Sequence, residues 1–406
     1  MPQPAIYLDN AAATPLWPAT RRALAHVATQ WGNPGSPHRF GRQMRSAFDE
    51  SLDAMARLLE VRRDELVLTA GATESTNLAI LGAAEAYRAD VGEWPHIITT
   101  EIDHPAVVEA VAAAGAPVTY LPVDGRGRVH LATLQAALTP ETGLVSVIAA
   151  SNELGTVQPL HAIAKLLASH RTVSGRRPLL HTDAAQLAAW QPFTAAQLGA
   201  DLITLSGAKL GAPVSGGLLY VRRGTPLAPL LHGGGQQAGR RPGTEDVAAA
   251  VGLATALATT WVRLPTIAPR VRRLRDRLAT ALTEAFPSAT MLSDPDGLPS
   301  FVTLAIPELD AEAAVAALDA AGVAVSTGAA CSSSADLFAG RALRAIGHED
   351  AVGHTLRITL GHTTTRGETD RAIPILTTVL RRTLDHGKTA TTIAAAGQRL
   401  AKRYAE

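Results

Sequence analysis

The chain has 406 residues, of which 47% are hydrophobic, so it is long and apolar enough to bury a large core. Its 37 basic and 36 acidic residues give a net charge of +1, which argues against a nucleic-acid partner or an anionic membrane surface. A lone cysteine excludes an internal disulfide, and we see no signal peptide or uncharged apolar run of about 18 residues, so we expect a cytoplasmic protein without a membrane span.

The first 250 residues alternate short apolar runs with stretches of helical periodicity. The runs predict strands at 65–69, 97–100, 118–121, 144–149, 179–182, 202–206 and 218–221. The stretches between them predict helices at 19–31, 39–59, 73–88, 106–114 and 160–170. This alternation predicts an α/β domain with a mostly parallel, buried sheet.

A long helical stretch follows, from residue 244 to about 286, in which we expect Pro265 and Pro269 to cause a kink or a break. A smaller α+β unit is predicted after it, with strands at 301–306 and 356–360, helices at 311–321 and 341–346, and terminal helices. We place the domain boundary near residue 255. Residues 14–255 form the predicted large domain, and residues 1–13 and 256–406 the small one.

Two polar residues stand where predicted strands end. Lys209 comes shortly after strand 202–206, at the edge where open α/β sheets bind ligands, and a lysine there can form a Schiff base. Asp183 directly follows strand 179–182 and can hold a pyridinium nitrogen protonated. Each also fits a plainer role, Lys209 as a surface lysine and Asp183 as a helix cap.

A third segment, Gly71-Ala72-Thr73, joins a predicted strand to a predicted helix. Free backbone N–H groups and the helix dipole make such a helix start a site for an anion, and a phosphate suits it. Simple capping of the helix by Thr73 explains the same residues.

Taken together, these segments resemble the cysteine desulfurases, which are fold type I enzymes with pyridoxal 5'-phosphate (PLP) within aminotransferase class V. The resemblance runs from Ile6 to about Thr365. It is carried by Tyr7-Leu8-Asp9-Asn10-Ala11-Ala12, Gly32-Asn33-Pro34, Gly71-Ala72-Thr73-Glu74-Ser75, His104, Asn152-Glu153-Leu154-Gly155, His181-Thr182-Asp183, Ser206 to Lys209, Gly233-Gly234-Gly235, Gly243-Thr244, Cys331 and Arg357.

The resemblance implies a role for each position around the cofactor. Lys209 would hold PLP covalently, Asp183 would pair with its pyridine nitrogen, Gln186 with its phenolic oxygen, and His104 would stack on its ring. The phosphate would be bound by Ala72, Thr73 and Ser206. Thr244 would reach the phosphate of the other subunit, which implies a homodimer with shared sites.

The substrate implied is L-cysteine, with Asn33, Asn152 and Arg357 around it. Asn152 and Arg357 would hold its carboxylate, for which the planar arginine fork is well shaped. Cys331 lies in a small, polar segment like that of the family's group I, and would take the sulfur as a persulfide for an acceptor protein, leaving L-alanine. A thiol with an ordinary pKa of about 8.5 needs a base at neutral pH, and His104 is the candidate.

One position departs from the family: Ala208 replaces the usual histidine before the lysine, so we expect weaker retention of PLP. A selenocysteine lyase or cysteine β-lyase would use the same cofactor site, but neither needs the thiol of Cys331. A non-catalytic relative that acts as an interaction partner is the third alternative. No metal site is predicted. The sulfur pathway stays open, with iron–sulfur cluster assembly among the candidates.

Overall fold

A seven-stranded sheet organises the first half of the chain. The computed structural model describes residues 5–327 and 340–403, with side chains to residue 385. The sheet is built from β2 (Leu66–Thr69), β3 (His96–Thr100), β4 (Val118–Leu121), β5 (Thr142–Ser146), β6 (Leu179–Asp183), β7 (Leu202–Ser206) and β8 (Gly217–Val221). Its order is β2-β8-β7-β6-β5-β3-β4, and β8 alone runs antiparallel to its neighbours. The predicted α/β class with a mostly parallel sheet is confirmed.

Helices cover both faces of this sheet. They are α1 (Pro18–Val27), α2 (Arg39–Leu59), α3 (Ala72–Val91), α4 (Pro105–Ala113), α5 (Leu131–Ala137), α6 (Leu160–Ser169), α7 (Ala185–Trp190), α8 (Ala195–Leu198), α9 (Gly207–Leu210) and α10 (Val247–Ala285). Successive strand residues point to opposite faces. Ile97 and Leu202 therefore pack in the cluster under α3 and α4, while Ile98 and Ile203 pack in the larger cluster that includes α2, α6 and α10.

Helix α10 runs unbroken from Val247 to Ala285 through Pro265 and Pro269, so the helix is not broken at these prolines, while the alternative of a kink stays a prediction. Apolar packing on both sides of the prolines keeps the segment helical, with Leu257 in the core of the large sheet and Leu278 in the second core. By length and composition α10 alone among the described helices resembles a membrane span, but 61% of that window is buried within the fold, as in a core helix.

A second unit packs at the other end of α10. It contains the antiparallel sheet β9 (Thr290–Met291), β10 (Phe301–Ala305) and β12 (Thr355–Thr359), the parallel pair β1 (Ile6–Tyr7) and β11 (Val323–Ala324), and the helices α11 (Ala311–Ala320), α12 (Arg341–Ala345) and α13 (Arg366–Arg403). Because β1 pairs with β11, the start of the chain joins this unit. The proposed domain limits themselves stay a prediction.

A chain of polar side chains crosses the centre of the large sheet. His181 on β6 is fully buried; its Nδ1 lies 2.8 Å from Ser146 Oγ on β5 and its Nε2 3.1 Å from Thr204 Oγ1 on β7. Burial lowers the pKa of His181 to about 3. The imidazole is therefore neutral in the folded protein at neutral pH.

This burial predicts a loss of stability in mild acid. The pKa of His181 is lower in the folded chain than in the unfolded chain, where it is about 6.5, so the folded state binds fewer protons and the stability that His181 contributes is lost as pH falls from about 6.5 toward 3. The loss is at most about 1.4 kcal/mol per pH unit. Melting temperatures between pH 7 and 5 should therefore fall more steeply for the wild type than for His181→Gln.

The exposed His26 offers a control, because His26→Gln should follow the wild-type profile. Parallel profiles for His181→Gln and the wild type would contradict a neutral, buried His181.

Candidate active site

A cavity of ≈ 440 Å³ opens at the carboxyl ends of the central strands. Strands β2, β3, β6 and β7 each deliver a polar residue to it at or shortly after their last residues. Nine residues predicted from the sequence line it: Ala72, Thr73, His104, Asn152, Asp183, Gln186, Ser206, Lys209 and Arg357. The fold thus brings together residues that lie up to 285 positions apart, from Ala72 to Arg357.

Asp183 ends β6 at the base of the cavity and is 5% exposed. Its Oδ1 accepts a hydrogen bond of 2.9 Å from Ala185 N, the first residue of α7, although the N-cap residue of that helix is Ala184. Burial raises the pKa of Asp183, while the charges of His104 and Lys209 oppose that rise. A buried carboxylate in this setting is well suited to pair with a cationic ring N–H.

His104 caps the start of α4. Its Nδ1 accepts a hydrogen bond of 3.1 Å from Ala106 N, which assigns the proton of the neutral ring to Nε2. Burial lowers the pKa of His104, although Asp183 opposes that change. Neutral His104 therefore carries a proton to give at Nε2, and this contact favours a donor role over the base role expected from the sequence.

The anion cradle lies where β2 leads into α3. Gly71 is the N-cap residue with φ 147°, and no side chain caps this helix, so the alternative of capping by Thr73 is wrong. Ala72, Thr73 and Glu74 form the first turn and line the cavity, and their amides point toward it as the N–H groups of a helix start do. The cradle fits a phosphate.

Close packing of two glycines shapes this cradle. A Cβ placed on Gly217, at the start of β8, would lie 2.4 Å from both Gly71 C and Thr69 Oγ1. Only a residue without a side chain lets β8 pass so near the turn between β2 and α3.

Gly217→Ala should consequently destabilise the protein by about 1–3 kcal/mol and displace the cradle, because the backbone it meets cannot turn aside like a side chain. Denaturant unfolding measures the loss. Gly125→Ala is a matched control, since its Cβ would meet no atom nearer than 4.0 Å. Equal stability of the two variants would refute the packing argument.

The segment from Asp9 to Thr14 crosses the site and holds several of its side chains. The carbonyl of Ala11 accepts a 2.9 Å hydrogen bond from Gln186 Nε2, and that of Ala12 accepts one from Lys209 Nζ. The resemblance includes part of this segment as a motif, but no role in the site was predicted for its backbone.

Arg357 on β12 is the buried cation of the cavity, 2% exposed. Its Nη2 pairs with Asp9 Oδ1 at 3.0 Å and its Nη1 donates to the carbonyl of Asn152 at 3.1 Å. Its Nε is buried and has no hydrogen-bond partner among the described residues. Because Arg357 lines the cavity, its guanidinium places a positive charge in the wall where a substrate carboxylate would bind, which supports the role predicted for Arg357.

Glu153 also lines the cavity, although only its neighbour Asn152 was singled out from the sequence. Burial raises the pKa of Glu153 to about 7, while Arg357 lowers it. Glu153 thus exchanges its proton near neutral pH beside the arginine. A glutamate within a motif gives no sign of this from the sequence, since the shift depends on burial.

Two predicted residues lie outside the cavity. Asn33 is exposed, with its Oδ1 accepting a 2.8 Å hydrogen bond from Gly35 N, and Thr244 is also exposed. Cys331 lies outside the described residues. The chain just before it is described, and Ser326 pairs with Arg357 through two backbone hydrogen bonds of 3.1 and 2.7 Å.

Comparison with known proteins agrees with this geometry. The model of the family described as aminotransferase class-V matches residues 6–372. The chain is 34% identical to cysteine desulfurase IscS of Dictyoglomus turgidum, over 93% of this chain and 95% of the relative, and 37% identical to a cysteine desulfurase of Trichormus azollae, over 93% of both.

Solved structures are similar as well. A NifS-like protein superposes with a TM-score of 0.85 at 30% identity, over 93% of this chain and 99% of that one. DndA from Streptomyces lividans gives a TM-score of 0.71 at 33% identity, over 87% and 99%. The fold is therefore that of fold type I PLP enzymes, and the chain belongs to the cysteine desulfurases of the class-V aminotransferase family.

Proposed function

We propose that this chain is a PLP-dependent cysteine desulfurase that converts L-cysteine to L-alanine and moves the sulfur to Cys331. The carrying observation is a single cavity that holds Lys209, Asp183 and His104 beside the buried cation of Arg357. An amine, a ring-facing carboxylate and a carboxylate receptor are the groups that this reaction needs.

The residues present fit PLP. Lys209 would hold it, Asp183 would pair with its ring nitrogen, and His104 would lie against its ring. Ala72, Thr73 and Ser206 would bind its phosphate at the cradle, and Gln186, now bonded to Ala11, has a second N–H to offer its phenolic oxygen. When bound, PLP supplies an electron sink for charge that develops at the substrate α-carbon.

The side chains supply orientation and proton transfer. Arg357 binds the substrate carboxylate, with Asn152 and Glu153 beside it, and so turns the α-hydrogen toward the cavity base. The amine of Lys209 accepts the proton from the substrate α-carbon and can later donate it again. His104 holds a proton at Nε2 for delivery to a substrate carbon.

Cys331 completes the reaction as the sulfur acceptor. Its thiolate attacks the substrate sulfur, the Cβ–S bond breaks, and the electron pair of that bond stays with Cβ, which takes up a proton to give alanine. Cys331 lies five positions after Ser326, so an extended chain would let it reach about 17 Å from that residue. Because Ser326 pairs with Arg357, the cavity falls within this range. The persulfide then passes to an acceptor protein.

The working unit in this proposal is a cytoplasmic homodimer. Thr244 is exposed and does not line the cavity described above, as expected for a residue that serves a second subunit. Exposed apolar side chains lie near it in sequence and at the cavity mouth, with Leu231 50% and Val214 71% exposed. Both suit burial against a second copy.

The central test is product analysis. The protein is incubated with PLP, L-cysteine and a reducing thiol, and alanine, pyruvate and sulfide are quantified. Equal amounts of alanine and sulfide are expected, with loss of both in Cys331→Ala because no other thiol is present in the chain. Lys209→Ala removes the amine and should also abolish turnover. Pyruvate, or activity that survives Cys331→Ala, would replace the proposal with a lyase.

Glu153 predicts how substrate binding depends on pH. With a pKa of about 7, its carboxyl is largely neutral at pH 6 and anionic at pH 8, where it competes with the substrate carboxylate for Arg357. The KM for L-cysteine should therefore rise severalfold over this range, because the competition costs roughly the free energy of one hydrogen bond to a charged group.

In Glu153→Gln the rise of KM with pH should be smaller. Dividing the wild-type KM by the variant KM at each pH cancels the titration of cysteine itself. An unchanged ratio from pH 6 to pH 8 would exclude this competition.

A further inference from the structure

An ion pair closes the outer side of the anion cradle. Arg241 Nε lies 2.8 Å from Glu74 Oε1, and the two side chains are 23% and 26% exposed. The other oxygen of Glu74 accepts a hydrogen bond of 2.6 Å from Ala70 N. Glu74 is the third residue of α3, so its carboxylate is held at the helix start itself.

This carboxylate poses an electrostatic problem for the cradle. A negative side chain in the first turn is stabilised by the helix dipole, but it repels a second anion that binds to the same amides. The cations among the described cavity residues are Lys209 and Arg357. The proposed function places them at the cofactor ring and at the substrate carboxylate. Ala208 supplies no charge where the family has histidine, so Arg241 is the cation placed to offset Glu74.

The loop that carries Arg241 is fastened to the strand that leads into the cradle. Gln237 Oε1 accepts from Leu68 N at 2.6 Å, and Gln237 Nε2 donates to Leu68 O at 3.0 Å, so the amide completes the free edge of β2. Gln237 and Ala238 both adopt left-handed backbone, with φ of 52° and 58°. Such backbone strain persists only where surrounding contacts hold the conformation. Here the two hydrogen bonds of Gln237 hold the loop, and so they help to place Arg241 next to Glu74.

We propose that Arg241 is a positioning residue that neutralises Glu74 and thereby sets the affinity of the cradle for the anionic end of the cofactor. The same loop continues to Thr244, so the pair also ties the cradle of one chain to the residue proposed to serve the second. This inference rests on the proposed function, since it presumes that PLP is the ligand.

The test measures binding rather than turnover. Dissociation constants for PLP and for pyridoxal, which lacks the phosphate, are determined by absorbance titration of the full chain. Arg241→Gln should weaken PLP binding about tenfold, the effect of leaving a carboxylate uncompensated near a bound anion, and leave pyridoxal binding unchanged. Arg240→Gln is the matched control, because the side chain of Arg240 turns away to donate to the carbonyl of Asp64.

A second background separates charge from structure. Glu74→Gln keeps an acceptor for Ala70 N but removes the negative charge, so within it Arg241→Gln should cost less than about threefold. A full tenfold cost there, an equal loss of pyridoxal binding, or an effect no larger than that of Arg240→Gln would each overturn the inference. If the wild-type chain binds neither PLP nor pyridoxal, the proposed function fails instead.

Discussion

Burying the carboxylate of Asp183 is the constraint on which the site depends. A carboxylate taken out of water is costly unless cations or N–H donors surround it. The fold meets this cost with the amide of Ala185 and with His104 and Lys209 at the same cavity. The residues proposed to attach the cofactor and to pair with its ring are thus groups that the buried charge already holds together.

The parallel strands bring these groups to the cavity, so no single loop has to position all of them. The parallel strands end at the same edge of the sheet, so residues at or soon after each strand end line the cavity. The helix that follows a strand presents its free N–H groups at the same edge. This is why Asp183, Lys209 and Thr73 could be singled out from strand ends as candidates, although their roles followed only from the family resemblance. The strand limits at 118–121 and 202–206 and the α/β class also follow from apolar runs, and the structure confirms them.

What the sequence left out depends on contacts across the chain. The two-residue strand β1 has no pattern of its own, because it exists only by pairing with β11. The proline break failed because packing outweighed a local penalty at Pro265 and Pro269. Glu153 and Arg241 passed unnoticed as site residues, since a raised pKa and an ion pair with Glu74 both arise from neighbours distant in sequence.

The segment from Asp9 to Thr14 has a consequence for how the protein matures. Asp9 forms a bridge to Thr359, so the first and last parts of the site are 350 residues apart. On a ribosome that adds about 5–20 residues per second, the start of the chain waits well over ten seconds for β12 to emerge. The seven-stranded sheet can form in that interval, whereas the receptor built on Arg357 cannot. The proposed substrate receptor is therefore assembled only after β12 has been synthesised.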